Sequence, residues 1–413
     1  MQGPPPLPPL PHDPLRWARG SLLARRPHGV RPVSPSLFLV TPSSGHGRSY
    51  EVHLLSDSWR CTCQDFVLRT LPCKHTYAVR EHLLGIPSAP SPPPRPSYPQ
   101  DWPAYNRAQM AEEQLFPLLL SGLLAPVRDP RPPASVGRPR LPLSDTLFCA
   151  ILKVHSLLSL RRSYGRFQDA RIHRHIRTVP SFVQPSLLFR REDLTSTLHQ
   201  LIATTARPLS DLERRFAVDA TGLRTTSFGA YCQEAHGPSR QNVWLKLHVI
   251  IGVESQIIPG VVVTASNAND APQFPTLVDA ARAAGFQMEE ILGDKGYLSR
   301  ANMEVAGAVG AIPYIPFKKG STGAAKGSPL WSRMYRFFLD HREEFEQHYH
   351  LRSNVEATFA ALKRKLGETL RSKDPIARVN EVLAKVICHN LMVVIHEMHE
   401  HQVTPRFLRA KWT

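Results

Sequence analysis

The sequence is short of acid, of cysteine and of long apolar runs, and each shortage narrows what the chain can be. It has 34 Asp and Glu against 51 Lys and Arg, a formal net charge of +17. That excess must lie on a surface, and such a field attracts polyanions. Nucleic acid is the first partner to consider and an anionic membrane the second; basic residues scattered only for solubility are the remaining alternative. Six cysteines in 413 residues do not make a disulfide framework. Cys61, Cys63 and Cys73 cluster, while Cys149, Cys232 and Cys388 are scattered, a usage that fits a reducing compartment and points to metal binding. No stretch is expected to span a bilayer: the longest apolar-rich run, Leu115 to Val127, is broken by Pro117 and is shorter than the ~20 residues a spanning helix needs. The Pro-rich start has no apolar signal-peptide core, and no internal repeat is visible. What the chain does have is length for two or three domains and an apolar fraction of 42%, enough for real cores.

Composition divides the chain. Residues 1–35, rich in Pro and Arg, read as a disordered tail. Residues 36–85 read as a compact unit: strands at 37–40 and 50–54, a turn through 43–47, then a helix from about Thr76 to Leu84 closed by Gly85. Residues 86–143 read as Pro-rich linker with one helix, 107–124. Residues 144–206 read as helical, with Ser144 as cap of a run from Thr146 to Leu160. Within them, Arg161 to Arg177 is strongly basic and interleaved with Tyr164 and Phe167. Such a segment suits a DNA groove or a solvated face equally, and sequence leaves the two even. From 210 to 400 the order is three strands, helix, strand, helix, strand, helices, with a tight turn at 254–256, a helix at 274–284 ended by Gly285 and a strand at 291–294. That order predicts an α/β domain, a hairpin-first mixed sheet flanked by helices.

Three carboxylates stand out. Asp219 ends an apolar strand and so does Asp294. If those strands are neighbours, the two acids meet at the sheet edge and need a counter-charge, which hard divalent cations supply. Two such cations suit in-line displacement at phosphorus. An Asp after a strand is also a common turn former, and Asp270, in Asn267-Ala-Asn-Asp-Ala-Pro272, is read that way. At about 100° per residue, Tyr349, Arg352, Glu356 and Lys363 align in one stripe of a single helix, beside an apolar face of Val355, Phe359, Leu362 and Leu366. A hydroxyl, two cations and one acid in line suit a phosphate backbone with a metal site; an ordinary salt-bridged face is the alternative.

Cys61-x-Cys63, nine residues, then Cys73-x-His75 offers three thiolates and an imidazole, the donor set of a closed tetrahedral zinc site. Such a staple suits a unit of about 50 residues whose core is small; chance clustering of buried cysteines is the alternative. Trp59 before the first Cys, Asp65-Phe66 after the second and Pro72-Cys-Lys-His75 resemble the SWIM-type zinc finger, which implies a DNA- or protein-binding module over 36–85.

Tyr349-x2-Arg352-x3-Glu356-x6-Lys363 resembles the Y-R-E-K signature of a large group of bacterial insertion-sequence transposases. Phe216-Ala-Val-Asp219-Ala-Thr-Gly222 and Leu292-Gly-Asp294-Lys-Gly-Tyr297 resemble the two aspartate motifs of that DDE-type family, with Asp294 75 positions after Asp219 and Glu356 62 positions after Asp294. The resemblance covers roughly 210–400. It implies an RNase H-like, retroviral-integrase-like core with Mg²⁺ or Mn²⁺ on Asp219, Asp294 and Glu356. It implies DNA contacts from Tyr349, Arg352 and Lys363, and cleavage at transposon ends followed by strand transfer. The implied partners are double-stranded DNA and a second copy of the chain in the synaptic complex; the implied location is cytoplasmic and nucleoid-associated in a prokaryote. A transposase-derived binding factor without catalysis, or a nuclease without strand transfer, are the alternatives. Some relatives carry a long insertion before the Glu helix with a Trp that supports a flipped base. The 62-residue interval here is too short for a large one, and Trp331 is expected to pack in a core.

Overall fold

The computed structural model describes residues 7–11, 13–26, 28–42, 49–85, 101–131, 139–225 and 244–408. They fall into two compact units, 1–100 and 101–413.

In the first unit, strands β1 (Val30–Ser34), β2 (Leu37–Val40), β3 (Tyr50–Leu54) and β4 (Trp59–Cys61) form an antiparallel sheet in chain order. Phe38 and Val40 alternate inwards on β2 and Phe38 pairs with the buried Val52 of β3, the period of two that marks a half-buried strand. The turn at 43–47 lies outside the described residues. Helices α1 (Pro14–Ala24), α2 (Gln64–Arg69) and α3 (Lys74–Leu83) complete the unit. Gly85 follows at φ +62, a left-handed stop that glycine adopts without strain.

The expectation of a disordered 1–35 tail is corrected here, because Asp13 caps α1 by accepting from the Arg16 amide and residues 30–34 pair with β2. Leu23 is buried, the Trp59 indole donates to the Pro8 carbonyl at 3.1 Å, and Ser21 bonds the buried Glu81 of α3. At Gly20 a β-carbon would stand 2.6 Å from Tyr77 Cβ, so α1 lies directly against α3. A few apolar residues and one glycine anchor a segment whose bulk composition reads as disorder.

The second unit begins with α4 (Trp102–Leu124), α5 (Leu143–Ser156), α6 (Ser163–Ile172), α7 (Gln184–Phe189) and α8 (Leu194–Ala206). Helix α4 starts before the expected 107 because Asp101 caps it at the Ala104 amide, and it carries Pro117 inside. Helix α5 has Pro142, not Ser144, at its cap and stops at Leu157 in the left-handed region, φ 54. A five-stranded sheet follows: β5 (Arg215–Arg224), β6 (Trp244–Gly252), β7 (Gly260–Ala265), β8 (Glu290–Gly293) and β9 (Ile312–Tyr314), in the order β7-β6-β5-β8-β9. The first three are antiparallel hairpins, and β8 and β9 run parallel to β5, so the expected mixed sheet is present. Between β6 and β7 the turn at 254–256 is held by buried Glu213, which accepts from the amides of Glu254 and Ser255 and from the Ser255 hydroxyl. Helices α9 (Phe274–Ala283), α10 (Arg300–Ala308), α11 (Pro329–Asp340), α12 (Arg342–His350), α13 (Ser353–Leu366) and α14 (Pro375–Glu400) complete the unit.

Two further expectations change. One continuous hydrophobic core runs from Ala108 through the sheet to Ile395, so the helical region 144–206 is not a domain apart from 210–400. Helix α14 ties them: Asn390 bonds both backbone groups of Ile258 at 2.8 and 3.0 Å and the Thr205 hydroxyl at 3.0 Å, while Asn380 bonds the carbonyls of Phe189 and Arg191. The same helix is long and apolar enough to cross a membrane, unlike any run expected from the sequence, but 89% of its apolar window is buried inside the protein. Protein surrounds it, and it buries Asn380, Glu381, Lys385, His389 and Asn390 among its apolar side chains.

Candidate functional site

Asp219 lies within β5, not at its end, at the point where the strand passes from fully buried to half-buried residues. Strand β8 is its parallel neighbour, with Val218 opposite Gly293. Asp219 is the next residue on β5 and Asp294 the first residue after β8, so the register brings the two near one another, and the Asp294 charge acts on Asp219. Asp294 then caps the turn Lys295–Tyr297, its Oδ1 accepting the Gly296 amide at 2.7 Å. Asp219 accepts the Ala220 amide at 2.8 Å through Oδ1 and Arg352 at 2.6 Å through Oδ2. Burial raises the Asp219 pKa above the usual carboxylate range, and Asp294 and Asp270 add to the rise, against the pull of the Ala220 amide and Arg352.

Glu356 stands in the first turn of α13 with its side chain 70% exposed, one turn from Arg352, whose other nitrogen reaches it at 3.5 Å. Arg352 therefore bridges Asp219 and Glu356, acids far apart in the chain. Burial disfavours its charge, yet Tyr349 and Asp219 outweigh that and hold its pKa above the ordinary value.

The single helix expected to carry Tyr349, Arg352, Glu356 and Lys363 is two helices. Helix α12 ends at His350 and α13 starts at Ser353, with Arg352 as its cap residue. Tyr349 is thus on the helix before, half-buried against the core, with the Arg352 guanidinium 5.7 Å from its ring centre. Lys363 lies two turns beyond Glu356 on α13, and Val355, Phe359, Leu362 and Leu366 are buried on the adjoining face as expected.

Asp270, read as a turn former, makes no side-chain cap. It ion-pairs with Lys246 Nζ at 2.6 Å and His248 Nδ1 at 3.2 Å. Nothing local in the sequence marks it, because its partners lie on β6 more than twenty residues earlier. Trp331 is buried, its indole donating to the Thr322 carbonyl at 2.8 Å under Arg300, a packed residue as expected. In the basic segment, α6 buries Phe167 and Ala170, Arg166 pairs with Glu113 and Arg161 lies over Phe182, so part of its charge is already engaged. A cavity of about 830 Å³ is lined by Arg128, Arg131, Arg140, Arg174 and Arg177 with Asp129 and Asp145, and not by the acids above.

In the first unit, Cys61 ends β4, Cys63 caps α2, and Cys73 caps α3 just before His75. All four are buried. His75 Nδ1 lies 3.8 Å from Cys61 Sγ and 3.7 Å from Cys73 Sγ, and the four ligand atoms fall within 4.8 Å of one another. Ligands about 2.0–2.3 Å from one tetrahedral zinc stand that far apart, so the residues fit the ion. The Cys73 pKa is lowered, first by its hydrogen bond from Cys61 and then by His75 and the Thr76 amide; Cys61, sharing that proton, is pushed up, and burial raises Cys63. Without a cation only one thiolate is favoured; a divalent ion allows all three.

The other such group among the described residues, His396, Glu397 and Glu400, is internally paired: His401 meets Glu397 at 2.6 Å and His396 meets Glu400 at 3.2 Å. Asp219, Asp294 and Glu356 are not among the described groups whose ligand atoms all lie within 4.8 Å of one another.

Comparison with known families matches a transposase DDE domain to residues 210–391 and a SWIM zinc finger to residues 50–83.

Proposed function

Given that residues 210–391 belong to the transposase DDE domain family, with its RNase H-like sheet, and residues 50–83 to the SWIM zinc fingers, we propose that the chain is a DNA transposase that cleaves at transposon ends and joins the freed ends to target DNA. The observation that supports this reading is twofold: Asp294 follows the strand that runs beside Asp219, and Arg352 pairs with both Asp219 and Glu356. A site that accommodates a fixed monovalent cation among carboxylates has the donor chemistry for Mg²⁺ or Mn²⁺. Two such ions would activate the attacking oxygen and stabilise the leaving oxygen at phosphorus.

The chain's own residues do the rest. Asp219, Asp294 and Glu356 are the cation ligands. Burial of Asp219 keeps water from competing for its oxygens. Arg352 is placed to exchange a carboxylate partner for a phosphate oxygen, and its planar fork suits either. Tyr349 beside it and Lys363 two turns on extend the line for a DNA backbone. The net charge of +17 supplies the general attraction for DNA, and residues 144–206 add a basic surface. The zinc finger binds DNA or protein. Joining two ends calls for two copies of the chain, acting where the DNA is, in the cytoplasm of a prokaryotic cell.

The test is to incubate the protein with Mn²⁺ and donor DNA carrying candidate element ends, scoring nicking and joining. Both are expected, and both vanish in Asp294→Ala. Nicking without joining would reduce the enzyme to a nuclease; DNA binding without either product would leave a binding factor derived from a transposase.

A further inference from the structure

We propose that Asp270 is a positioning residue of the catalytic metal centre: it fixes, through bound water, the cation held by Asp219 and Asp294. The inference rests on the reading of those two acids given above.

Asp270 approaches from the loop after β7, and two basic side chains two residues apart on β6 hold it there. Lys246 Nζ lies 2.6 Å and His248 Nδ1 3.2 Å from its Oδ1. Neither contact has hydrogen-bond alignment, so buried Oδ1 and His248 Nδ1 both keep capacity for another partner. Lys246 is itself fixed by the Ala268 carbonyl at 3.2 Å, and His248, fully buried, by the Thr264 hydroxyl at 2.9 Å. The outer oxygen of Asp270 turns the other way. A β-carbon at Gly296 would stand 3.4 Å from Asp270 Oδ2 and 2.8 Å from Asp294 Oδ1, so the two carboxylates converge on one point and glycine leaves it open.

A second observation points to the same place. The Tyr297 hydroxyl is fully buried, has no hydrogen-bond partner among the described residues, and feels the charges of Asp270, Asp219 and Asp294. An unmade bond on a buried hydroxyl costs about 1–3 kcal/mol, so a phenol kept there serves something that joins it. An ordered water shared with Asp270 fits, since one oxygen can accept from the phenol, donate to a carboxylate and bind a cation. Charge agrees. Four carboxylates, Asp219, Asp270, Asp294 and Glu356, face two directly paired cationic side chains, Lys246 and Arg352, a deficit that a divalent ion makes up. Asp270 thus acts on the ion by orienting its hydration, as residues behind metal ligands do.

The experiment is a Mn²⁺ titration of the full-length, zinc-loaded protein, followed by the electron paramagnetic resonance signal of free Mn²⁺, for wild type, Asp270→Asn, Lys246→Met and Asp294→Ala. Asp270→Asn should weaken Mn²⁺ binding by about ten- to a hundredfold, while Lys246→Met, which leaves His248 to hold the carboxylate and removes one positive charge beside it, should bind as tightly as wild type or tighter. Equal weakening in both variants would make Asp270 a structural ion-pair partner and overturn the proposal. So would wild-type affinity in Asp270→Asn alongside lost binding in Asp294→Ala, and in that case the reading of Asp294 stands. Wild type that takes up no Mn²⁺ would overturn the catalytic site and this residue's role together.

Discussion

The zinc module and the proposed catalytic unit both bring acidic or thiol side chains from separate elements towards one another, but they do so in opposite ways. The zinc ligands fall between Cys61 and His75, brought together by one strand end and two helix starts, and their atoms lie within 4.8 Å before any ion is considered. The proposed catalytic acids come from β5, the end of β8 and α13, and a parallel register and a helix packed on the sheet must both form to bring them near one another. A structural metal belongs in the first kind of site, because it holds a small core together. A working metal belongs in the second, where a large core holds the ligands and leaves an open face for substrate. Glu356 is the open face here, its side chain 70% exposed.

That contrast predicts different consequences of losing each metal. The largest effect is on the zinc side. Removing zinc, or replacing Cys61→Ser with Cys63→Ser, should unfold residues 1–85 and leave residues 101–413 folded, since a structural zinc contributes about 10–16 kcal/mol to such a module. Elemental analysis together with limited proteolysis would check this; equal protection of both units after zinc removal would break the comparison. On the catalytic side, Asp294→Ala should lower nicking by about a thousandfold or more but cost only about 1 kcal/mol of stability, the value of one turn cap, read by nicking rates and urea midpoints. Substitutions in the core of the second unit should do the reverse. Asn390→Leu leaves the Ile258 amide and carbonyl unpaired and should cost about 2–4 kcal/mol, with the helical region and the sheet still unfolding in one transition. The smallest effect is a pH dependence. Burial lowers the His389 pKa to about 4, against its bond to the Gln256 carbonyl. The folded state therefore binds fewer protons than the unfolded one between pH 6.5 and 4, and stability complete above pH 6.5 is lost as pH falls through that window. Urea midpoints at pH 7 and pH 5 should differ less in His389→Gln.

The same contrast explains what was legible in the sequence. Cys61, Cys63, Cys73 and His75 could be read outright, because ligand pairs at fixed spacing report local geometry. The order of strands and helices along the chain and the hairpin-first mixed sheet were legible from hydrophobic runs and turns such as 254–256, and the placing of Asp219 and Asp294 beside apolar strands from the runs that precede them, whereas the order of strands across the sheet was not. Asp270 was not, because the partners that distinguish it from a turn former, Lys246 and His248, reach it only through the β6–β7 pairing. The break between α12 and α13 was missed for a related reason. Periodicity is nearly continuous through Leu351 and Arg352, whose backbone stays near helical angles, so a wheel cannot see the joint. The extent of the two units was misjudged where composition stood in for contacts: Pro and Arg hid α1, and the change from helices to strands near 210 looked like a boundary although α14 spans it.

The account stands or falls on whether Asp219, Asp294 and Glu356 serve one pair of cations. Fe²⁺ substituted for Mg²⁺ generates hydroxyl radicals that cut the backbone beside the bound ion, and mapping those cuts tests this directly. Cuts should cluster near residues 219, 294 and 356 together and disappear when excess Mg²⁺ competes. Cuts at one of the three positions alone, or at none of them, would contradict the shared site.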